Sequence, residues 1–357
     1  MTLTIGILEG DDIGLEVVPE CVKVMKEAAA KTGLAIDWRP MPIARKAHEL
    51  HGQTIPPGTL ETLDTFDGWI LGPIGHREYP RNDPTWVNAH PVFRLHFGLY
   101  ANYKPFKSYP NLPSLHKDID MLFLRETTEG FKVDGNLFKG YGEFMPTDEM
   151  AIGVCVTTRK KSRLIAEAAF EAAEMRPRRK VTAVHKNTVY RYGDGLFADE
   201  CRKVAQRYPD TEFEEVIVDT MALRLVVKPQ QYDVIVTTNL YGDILTDEAA
   251  GLVGGLGLAP GVNASERIAM AQATHGSAPD IAGKGIANPY AMIMSGKMLF
   301  EWLSMKRKEP KAAEAAKLIE RAVERVIAEA KHLTGDLGGS AKTQEMGDAI
   351  ARAVAAA

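Results

Sequence analysis

Short β-like runs alternate with longer helical patterns along most of the chain, and this alternation restricts the fold more than any other feature. The β-like runs are residues 4–8, 68–71, 121–124, 181–185, 215–218 and 234–237. The helical patterns are residues 13–31, 159–175, 196–208, 291–305 and 311–332. Strands that alternate with helices tend to pair in parallel, with the helices on the faces of the sheet. The pattern therefore predicts an α/β fold with doubly wound sheets.

Length, charge and cysteine usage narrow the class of protein. A chain of 357 residues can bury a large core and is expected to form two lobes. Its net charge of −4, without a basic stripe, argues against nucleic acid as a partner. No apolar run approaches the ~20 residues that cross a bilayer, and residues 3–8 resemble a first strand rather than a leader. Cys21, Cys155 and Cys201 fit no disulfide or metal pattern, which predicts a reducing cytoplasm.

Two aspartates lie four residues apart in the stretch NLYGDILTDEAAG, directly after an apolar strand pattern. This spacing puts Asp243 and Asp247 on one face of a helix, near the carboxyl end of an interior strand. Asp243 can cap the helix while Asp247 faces solvent, or the two can hold a ligand together. The spacing alone leaves both interpretations open.

Three further charged side chains follow predicted strands. Arg125 ends the run LFLR, Lys186 follows VTAVH, and Asp219 follows EVIV. With Asp243 and Asp247, Asp219 completes a set of hard oxygen ligands that suits Mg²⁺ or Mn²⁺. A lysine nearby can then serve as a base, and an arginine can bind a carboxylate through two parallel hydrogen bonds.

Two segments depart from the regular pattern. Residues 130–147 lack periodicity and are too long for a routine connection, which indicates a lid, an arm or an interface element. The loop HGSAPDIAGKGIANP at 275–289 is rich in Gly, Pro and Ala, so a ligand can approach its backbone closely. The nearest match to a dinucleotide-binding glycine motif, residues 193–198, does not directly follow a strand, so a GxGxxG Rossmann site is not expected.

Six motifs together resemble the isocitrate/isopropylmalate dehydrogenase family, the metal-dependent β-decarboxylating dehydrogenases that also act on malate, tartrate and homoisocitrate. The motifs are GDDIGLE, LRETTEG, HKNTV, TNLYGDILTDEAAGLVGGLGLAP, HGSAPDIAGKGIANP and TGDLGGSAKT. The resemblance implies a two-lobed isopropylmalate dehydrogenase-like fold, with residues 1–100 and 252–357 in a large cofactor-binding lobe. Residues 101–251 would form a central dimerisation and substrate lobe, with a clasp arm at about 130–150.

The same resemblance implies roles for individual residues. Three cationic positions match those that hold the malate core of the substrate, namely Arg94, Lys104 and Arg125. Three carboxylates match the metal-binding positions, namely Asp219, Asp243 and Asp247. Lys186 matches the catalytic lysine. The resemblance implies that Asp219 and Lys186 are lent by the other chain of a homodimer with shared active sites, so Asp219 also counts as a catalytic residue.

The resemblance further implies NAD as the cofactor. The matching positions are His275, Gly276, Ser277, Ala278, Pro279, Asp280, Ile281 and Asn288. Asp280 matches the position that faces the adenosine ribose, where a carboxylate accepts hydrogen bonds from the 2′-hydroxyl and repels a 2′-phosphate. NAD is therefore expected in preference to NADP.

Substrate choice is expected to fall outside isocitrate. The family's specificity segment precedes Arg94, and here it is NAHPVF, without a serine or threonine for a third carboxylate. His90 and Phe93 instead predict a malate-like core with a hydroxyl, apolar or aromatic substituent. The expected substrate is a 2-hydroxy acid such as 3-isopropylmalate, D-malate or tartrate.

Five positions depart from the family pattern. GDDIGLE replaces the usual GDGIGPE, and Lys104 replaces an arginine, which keeps the charge but loses the planar fork. Thr188 replaces an asparagine that normally lies two residues after the catalytic lysine. Lys132 occupies the position of the catalytic tyrosine and is therefore a candidate proton donor, with Tyr141 and Tyr190 as possible substitutes.

Two classes of function follow. The first is an NAD-dependent, metal-dependent dehydrogenase that acts on the CH–OH group of a 2-hydroxy acid, with decarboxylation. The second is a non-redox member of the same fold, either a metal-dependent lyase or a catalytically impaired ligand-binding protein. The metal aspartates, Lys186 and the cofactor loop favour the first class, whereas the departures at Lys132, Lys104 and Thr188 motivate the second.

Overall fold

The computed structural model describes residues 2–132, 136–137 and 140–357 and divides the chain into two compact units. Unit 1 comprises Met1–Phe97, Tyr109–Ser114 and Gly254–Ala357, and unit 2 comprises Gly98–Ser108 and Leu115–Val253. The sequence-based boundaries differ from these ranges mainly at Tyr109–Ser114, which the structure joins to unit 1. Among the described residues, no helix is both long and apolar enough to cross a membrane.

Unit 1 holds a five-stranded part of the sheet, in the order β2-β1-β3-β12-β11. These strands are β1 (Leu3–Leu8), β2 (Ile36–Pro40), β3 (Gly68–Leu71), β11 (Val262–Ala264) and β12 (Ala269–Ala271). All neighbours pair in parallel except β11 and β12, which are antiparallel. The helices are α1 (Gly14–Thr32), α2 (Ala44–His51), α3 (Thr59–Asp64), α4 (Ala89–His96), α9 (Tyr290–Lys306), α10 (Pro310–Glu329) and α11 (Thr343–Ala356).

The core of unit 1 joins the two ends of the chain. Helix α1 packs against α9, α10 and α11, and its buried face includes Val17, Cys21 and Met25. Gly296 of α9 permits this close approach, because a Cβ there would lie 2.7 Å from the Cys21 sulfur. Cys21 is therefore a packing residue, and burial raises its pKa to about 12.

Unit 2 holds the other strands of the sheet, in the order β4-β5-β10-β8-β9. These strands are β4 (Ala101–Lys107), β5 (Asp120–Glu126), β8 (Lys180–His185), β9 (Glu212–Ile217) and β10 (Val234–Thr237). The helices of unit 2 are α5 (Arg159–Glu174), α6 (Gly193–Ala205), α7 (Val218–Val227) and α8 (Asn239–Val253). Strands β5, β10, β8 and β9 run parallel, while β4 is antiparallel to β5. The predicted α/β fold is confirmed.

A separate two-stranded hairpin forms part of the segment that was predicted to be irregular. It consists of β6 (Glu143–Thr147) and β7 (Met150–Gly153), and every residue in both strands is exposed. The exposed side chains include Phe144, Met145 and Ile152. The rest of the predicted arm falls partly on residues 133–135 and 138–139, which lie outside the described residues.

Two strand predictions need correction. Residues 215–218 were predicted as a strand, but β9 runs from Glu212 to Ile217 and α7 begins at Val218. Asp219 therefore lies in the first turn of a helix, where the helix dipole favours a carboxylate. Arg125 does not end β5, since the strand continues to Glu126. The glycine-rich residues 193–198 lie inside α6, which follows a loop and not a strand.

Candidate active site

Polar side chains of unit 2 lie at or just beyond the carboxyl ends of four parallel strands. Arg125 is the penultimate residue of β5, Asn239 begins α8 two residues after β10, and Lys186 directly follows β8. Asp219 lies in the first turn of α7, directly after β9. Parallel strands bring their carboxyl ends to one edge of a sheet, which is where open α/β folds bind ligands.

Asp243 and Asp247 lie one turn apart on α8, and both side chains are exposed. The buried Arg125 donates a hydrogen bond from Nη1 to Asp243 Oδ1. Burial lowers the pKa of Arg125, while the negative charges of Asp243 and Asp247 oppose that shift. The paired aspartates therefore face a cation, and a simple capping role for Asp243 does not describe the structure.

Lys104 belongs to the same group of residues. It is buried in β4, and its Nζ donates to Thr246 Oγ1 at 2.9 Å. The Thr246 hydroxyl in turn donates to the backbone carbonyls of Gly242 and Asp243. The ammonium of Lys104 therefore lies beside the helical turn between Asp243 and Asp247.

Lys186 and Asp219 form a second group. Lys186 Nζ lies 2.5 Å from Asp219 Oδ1, and hydrogen bonding from Lys186 lowers the pKa of Asp219. Within the described part of the chain, no three metal-ligating side chains come together. Asp219 therefore does not join Asp243 and Asp247 in a single chain.

The chemistry of Asp243 and Asp247 fits a divalent cation. Two exposed carboxylates one helical turn apart offer hard oxygen ligands, which Mg²⁺ and Mn²⁺ prefer. The guanidinium of Arg125 already provides positive charge at Asp243. The donor set is incomplete without at least one further oxygen, from substrate, water or another chain.

Unit 1 contains the third predicted carboxylate-binding cation, Arg94 of α4. Arg94 Nε donates to Asn263 Oδ1 at 3.2 Å. One turn earlier, His90 has a buried Nε2 that has no hydrogen-bond partner among the described residues. Burial and the positive charge of Arg94 lower the pKa of His90 to about 3, so its imidazole is neutral.

The expectation that Phe93 helps to select the substrate is wrong. Phe93 is fully buried, and its ring packs edge-on against Trp69 with a centroid separation of 5.9 Å. On α4, Ala89 and Phe93 share the face that meets the core of unit 1, whereas His90 and Arg94 lie on an adjacent face. His90 therefore remains as the candidate specificity residue of this segment.

The predicted cofactor loop packs against the start of α1. Ser277 accepts a hydrogen bond through its backbone carbonyl from Ile13 N at 3.2 Å, and Gly283 N donates to Glu16 Oε1 at 2.6 Å. Gly276, Pro279 and Asp280 are exposed, and Ala278 has a positive φ of 46°. The ring of His275 has a buried Nε2 without a partner among the described residues, and burial lowers the pKa of the imidazole. The loop thus presents an exposed carboxylate and several accessible backbone groups.

Asn288 differs from the other predicted cofactor positions. Its Oδ1 accepts from Tyr290 N at the start of α9, and its Nδ2 donates to Asp336 Oδ2 at 2.9 Å. Both ends of its carboxamide therefore have structural partners, and the side chain is buried.

Gly130 forms an isolated antiparallel β-bridge with Val156, and Lys132 lies two residues after Gly130. The backbone carbonyl of Lys132 accepts a hydrogen bond from Asn136 N. Tyr141 is exposed, whereas Tyr190 contributes to a cavity of about 410 Å³ that also includes Phe131 and Tyr241. The segment 186–190 forms one helical turn, since Tyr190 N donates to Lys186 O at 2.9 Å. Tyr190 therefore lies one helical turn after Lys186, the predicted catalytic lysine.

The motif GDDIGLE holds a charged cluster that sequence reasoning did not foresee. Asp11 is buried and accepts hydrogen bonds from Arg45 N, Gly75 N and Tyr79 Oη. Asp12 has a positive φ of 52°, a conformation that favours glycine, and it pairs with the guanidinium of Arg45. The sequence signal for this cluster was the replacement of the middle glycine of GDGIGPE by Asp12, because the backbone at this position has a conformation that favours glycine.

A family model for isocitrate/isopropylmalate dehydrogenase matches residues 4–350. The chain belongs to the isocitrate/isopropylmalate dehydrogenase family. It is 38% identical to a 3-isopropylmalate dehydrogenase of Saccharolobus solfataricus, over 98% of this chain and 99% of the relative. It is 39% identical to an isocitrate/homoisocitrate dehydrogenase of Thermus thermophilus, over 99% of both chains. The crystal structure of isocitrate dehydrogenase from Methylococcus capsulatus is similar, with a TM-score of 0.84, 37% identity and 99% coverage of both chains.

Family membership supports a decarboxylating dehydrogenase that acts on a hydroxy acid. The two relatives differ in the substrates for which they are named, although their identities to this chain differ by one percentage point. Overall similarity therefore does not select the substrate. The side chains that bear on substrate choice are His90, Lys104 and the other polar residues of the site.

Proposed function

We propose that this member of the isocitrate/isopropylmalate dehydrogenase family oxidises a malate-like 2-hydroxy acid with NAD and Mg²⁺ or Mn²⁺, and that decarboxylation follows. The observation that most supports this proposal is the group formed by Arg125, Asp243 and Asp247 at the carboxyl edge of the sheet. A guanidinium beside two exposed carboxylates suits a ligand that brings both a carboxylate and a shared divalent cation.

The chain's own residues would divide the work on the substrate. Arg94, Lys104 and Arg125 would bind its carboxylates, and Lys186 would accept the proton of the 2-hydroxyl. NAD, held by the loop at 275–288, would supply the acceptor for the hydride of C2. The carboxylate on C3 then leaves as CO₂, and a proton is delivered to C3. When bound, the divalent cation supplies Lewis acidity at the hydroxyl oxygen and at the enolate oxygen.

A dicarboxylate substrate fits the polar groups better than a tricarboxylate. Lys104 offers one point charge instead of an arginine fork, and its Nζ already contacts Thr246. The imidazole of His90 is neutral, and its Nε2 has no hydrogen-bond partner among the residues that the structure describes, so it favours a hydroxyl or another small neutral group over a third carboxylate. D-malate and tartrate meet these conditions, and 3-isopropylmalate meets the charge condition.

We propose a homodimer because two surfaces of unit 2 suit a second copy of the chain. An isolated two-stranded hairpin is only marginally stable in water, yet β6 and β7 form one with exposed Phe144, Met145 and Ile152. Helices α7 and α8 pack together and expose apolar side chains, namely Leu223, Val226, Val227, Leu240 and Ile244. Several exposed apolar side chains on paired helices are typical of subunit interfaces.

The separation of the two charged groups supports an active site shared between chains. Lys186 pairs with Asp219, and among the described residues Asp219 does not form a metal-binding group with Asp243 and Asp247. A second chain would bring Asp219 to the metal and Lys186 to the substrate hydroxyl. The Lys186–Asp219 ion pair has to separate before the amine can accept a proton.

The test is a panel of 2-hydroxy acids with NAD and Mn²⁺, followed by the absorbance of NADH. We expect D-malate, tartrate or 3-isopropylmalate to give the highest kcat/KM and isocitrate to give a lower one. Isocitrate outcompeting every dicarboxylate would contradict the proposed substrate class. No NADH from any acid, despite measured NAD binding, would favour the non-redox alternative that Lys132 suggests.

A further inference from the structure

An asparagine holds the guanidinium of Arg125. Asn239 Oδ1 accepts from Arg125 Nε at 3.1 Å and from Arg125 Nη2 at 2.6 Å. The other end of the carboxamide, Nδ2, donates to the backbone carbonyl of Glu129 at 2.7 Å. Since an amide oxygen accepts and an amide nitrogen donates, these three contacts leave the carboxamide one orientation.

A second asparagine holds Arg94 in unit 1. Asn263 Oδ1 accepts from Arg94 Nε at 3.2 Å, and Asn263 Nδ2 donates to Gln272 Oε1 at 3.1 Å. Asn263 lies in β11 and is 1% exposed. Each of the two predicted carboxylate-binding arginines therefore contacts an asparagine whose other end is anchored to the protein.

Packing restricts Arg125 further. A Cβ at Gly242 would lie 2.6 Å from Arg125 Cγ, so the glycine lets the helix approach the aliphatic part of the side chain. A Cβ at Gly130 would lie 3.0 Å from Asn239 Cβ. The aliphatic part of Arg125 and the side chain of its asparagine thus each lie directly against a glycine, which limits the conformations that Arg125 can adopt.

We propose that Asn239 and Asn263 are positioning residues for substrate binding. Each one fixes the guanidinium of its arginine before the ligand arrives, so that less side-chain entropy is lost when a carboxylate binds. A mobile arginine would have to be ordered by the substrate itself. This inference rests on the proposed function, because it takes Arg94 and Arg125 as the partners of the substrate carboxylates.

The experiment compares Asn239→Ala and Asn263→Ala with the wild-type protein. Binding of D-malate in the presence of Mn²⁺ is measured by calorimetry, and kcat and KM are measured on the best substrate of the panel. We expect each variant to weaken Kd and raise KM on the order of tenfold, with kcat nearly unchanged, because a hydrogen bond to a charged group is lost. Asn111→Ala is the matched control, since its carboxamide donates to the backbone carbonyl of Ile327.

A double-mutant cycle separates positioning from a loss of stability. In the background of Arg125→Lys, the Asn239→Ala change should cost at most about twofold in Kd, because its effect acts through the guanidinium. Full additivity of the two changes, or variants that bind D-malate as the wild type does, would overturn the inference. Since Asn239→Ala also removes the donor to Glu129, thermal unfolding is measured for each variant, and Asn263→Ala provides an independent test.

The outcomes distinguish this inference from the proposed function. A wild-type protein that binds D-malate but forms no NADH contradicts the redox reaction, while weaker binding by the asparagine variants still supports positioning. A wild-type protein that forms NADH, with asparagine variants of unchanged Kd and KM, contradicts positioning alone. A wild-type protein that binds none of the dicarboxylates contradicts both.

Discussion

Arg125 and Asp243 form an ion pair in which Nη1 of the guanidinium donates to Oδ1 of the carboxylate. The same carboxylate is the proposed ligand of a divalent cation, so two cations compete for it. The substrate carboxylate offers Arg125 an alternative partner. Metal and substrate are therefore expected to bind cooperatively. A metal ion that binds Asp243 frees Arg125 for the substrate carboxylate, and a substrate that binds Arg125 frees Asp243 for the metal ion.

Replacing Arg125 tests this competition directly. We expect Arg125→Ala to tighten Mn²⁺ binding in the absence of substrate by roughly two- to fivefold, because the Asp243 carboxylate is exposed and solvent screens its attraction to Arg125. Substrate affinity should fall in the same variant. The free Mn²⁺ signal in electron paramagnetic resonance measures the first effect, and weaker Mn²⁺ binding by Arg125→Ala would disprove the competition.

Mixed dimers test whether Lys186 and Asp243 act in the same site from different chains. Asp243→Asn and Lys186→Ala should each reduce turnover by roughly a hundredfold or more, since each removes a group of the reacting centre. Random mixing of the two variants should restore about a quarter of wild-type activity, because half the dimers are mixed and each of these holds one intact site. Mixed dimers that form but stay inactive would rule out the shared site, and each variant refolded alone is the control.

Cofactor choice depends on Asp280, which is exposed in the loop after His275. We expect a higher kcat/KM with NAD than with NADP, because a carboxylate at this position repels the 2′-phosphate. Asp280→Asn keeps the size of the side chain and removes the charge. The ratio of kcat/KM with NAD to kcat/KM with NADP should therefore fall by about tenfold. Faster turnover with NADP in the wild-type protein would refute the assignment.

Lys132 occupies the position at which the resemblance implies a tyrosine proton donor. We expect oxidation to proceed while protonation of C3 is slow or uses another donor, because a lysine replaces the tyrosine hydroxyl that the resemblance implies. Because protonation of C3 follows the loss of CO₂, Lys132→Tyr should raise the rate at which the C3-protonated oxo acid forms, in a single turnover, roughly tenfold or more relative to CO₂ release. The two products are measured separately on the best substrate.

The contrary result for Lys132 is equally clear. If the wild-type protein yields one CO₂ per NADH at full rate, and Lys132→Ala changes neither product, Lys132 has no catalytic role. The alignment of the segment after Gly130 would then be wrong, and Tyr190 would become the next candidate donor. Tyr190→Phe is the corresponding test.

Glu129 makes the stability of unit 2 depend on pH. Burial raises the pKa of Glu129 from 4.5 to about 7, although Thr158 donates two hydrogen bonds to its carboxylate. A raised pKa means that the folded state holds the proton more tightly. The stabilisation is therefore complete below pH 4.5 and is lost as the pH rises through about 7.

We expect Glu129→Gln to lose less stability than the wild-type protein over that pH range, because the amide stays neutral. Urea unfolding at the two ends of the range measures the difference in slope. Glu174→Gln, at an exposed position at the end of α5, is the matched control and should follow the wild-type pH dependence. Parallel pH profiles for wild type and Glu129→Gln would contradict the assignment.

The buried strands were predictable because their sequences are continuously apolar. Strands β3 and β10 match the predicted ranges 68–71 and 234–237, and both are buried throughout. Strand β9 begins earlier than predicted, at Glu212, because it lies at the edge of the sheet and three of its first four residues are glutamates, which hid the strand from an apolar pattern. The hairpin of β6 and β7 has no buried face, so hydrophobic periodicity gave no signal for it.

In the candidate site, only the charged residues and the residues of recognisable motifs were predictable from the sequence. The pairing of Arg125 with Asp243 brings together two segments that are more than a hundred residues apart in the chain. Their positions near strand ends suggested that they meet, but their spacing in the sequence did not establish it. Asn239 and Asn263 were missed because an uncharged amide is common in loops and strand ends, and its role depends on what it contacts. Phe93 was misplaced because sequence does not tell which of two adjacent faces of a short helix meets the core.

The division of unit 1 between the two ends of the chain has a consequence for synthesis on the ribosome. Strands β1 and β3 and helix α1 emerge first, but β12 and helices α9, α10 and α11, which complete their core, lie beyond residue 254. Unit 2, almost entirely contained in residues 98–253, is finished in between. At ~5–20 residues per second, the first 97 residues wait roughly ten to fifty seconds for their partners. The nascent protein therefore completes its central unit first, while the apolar face of α1 stays uncovered until the last helix has left the exit tunnel.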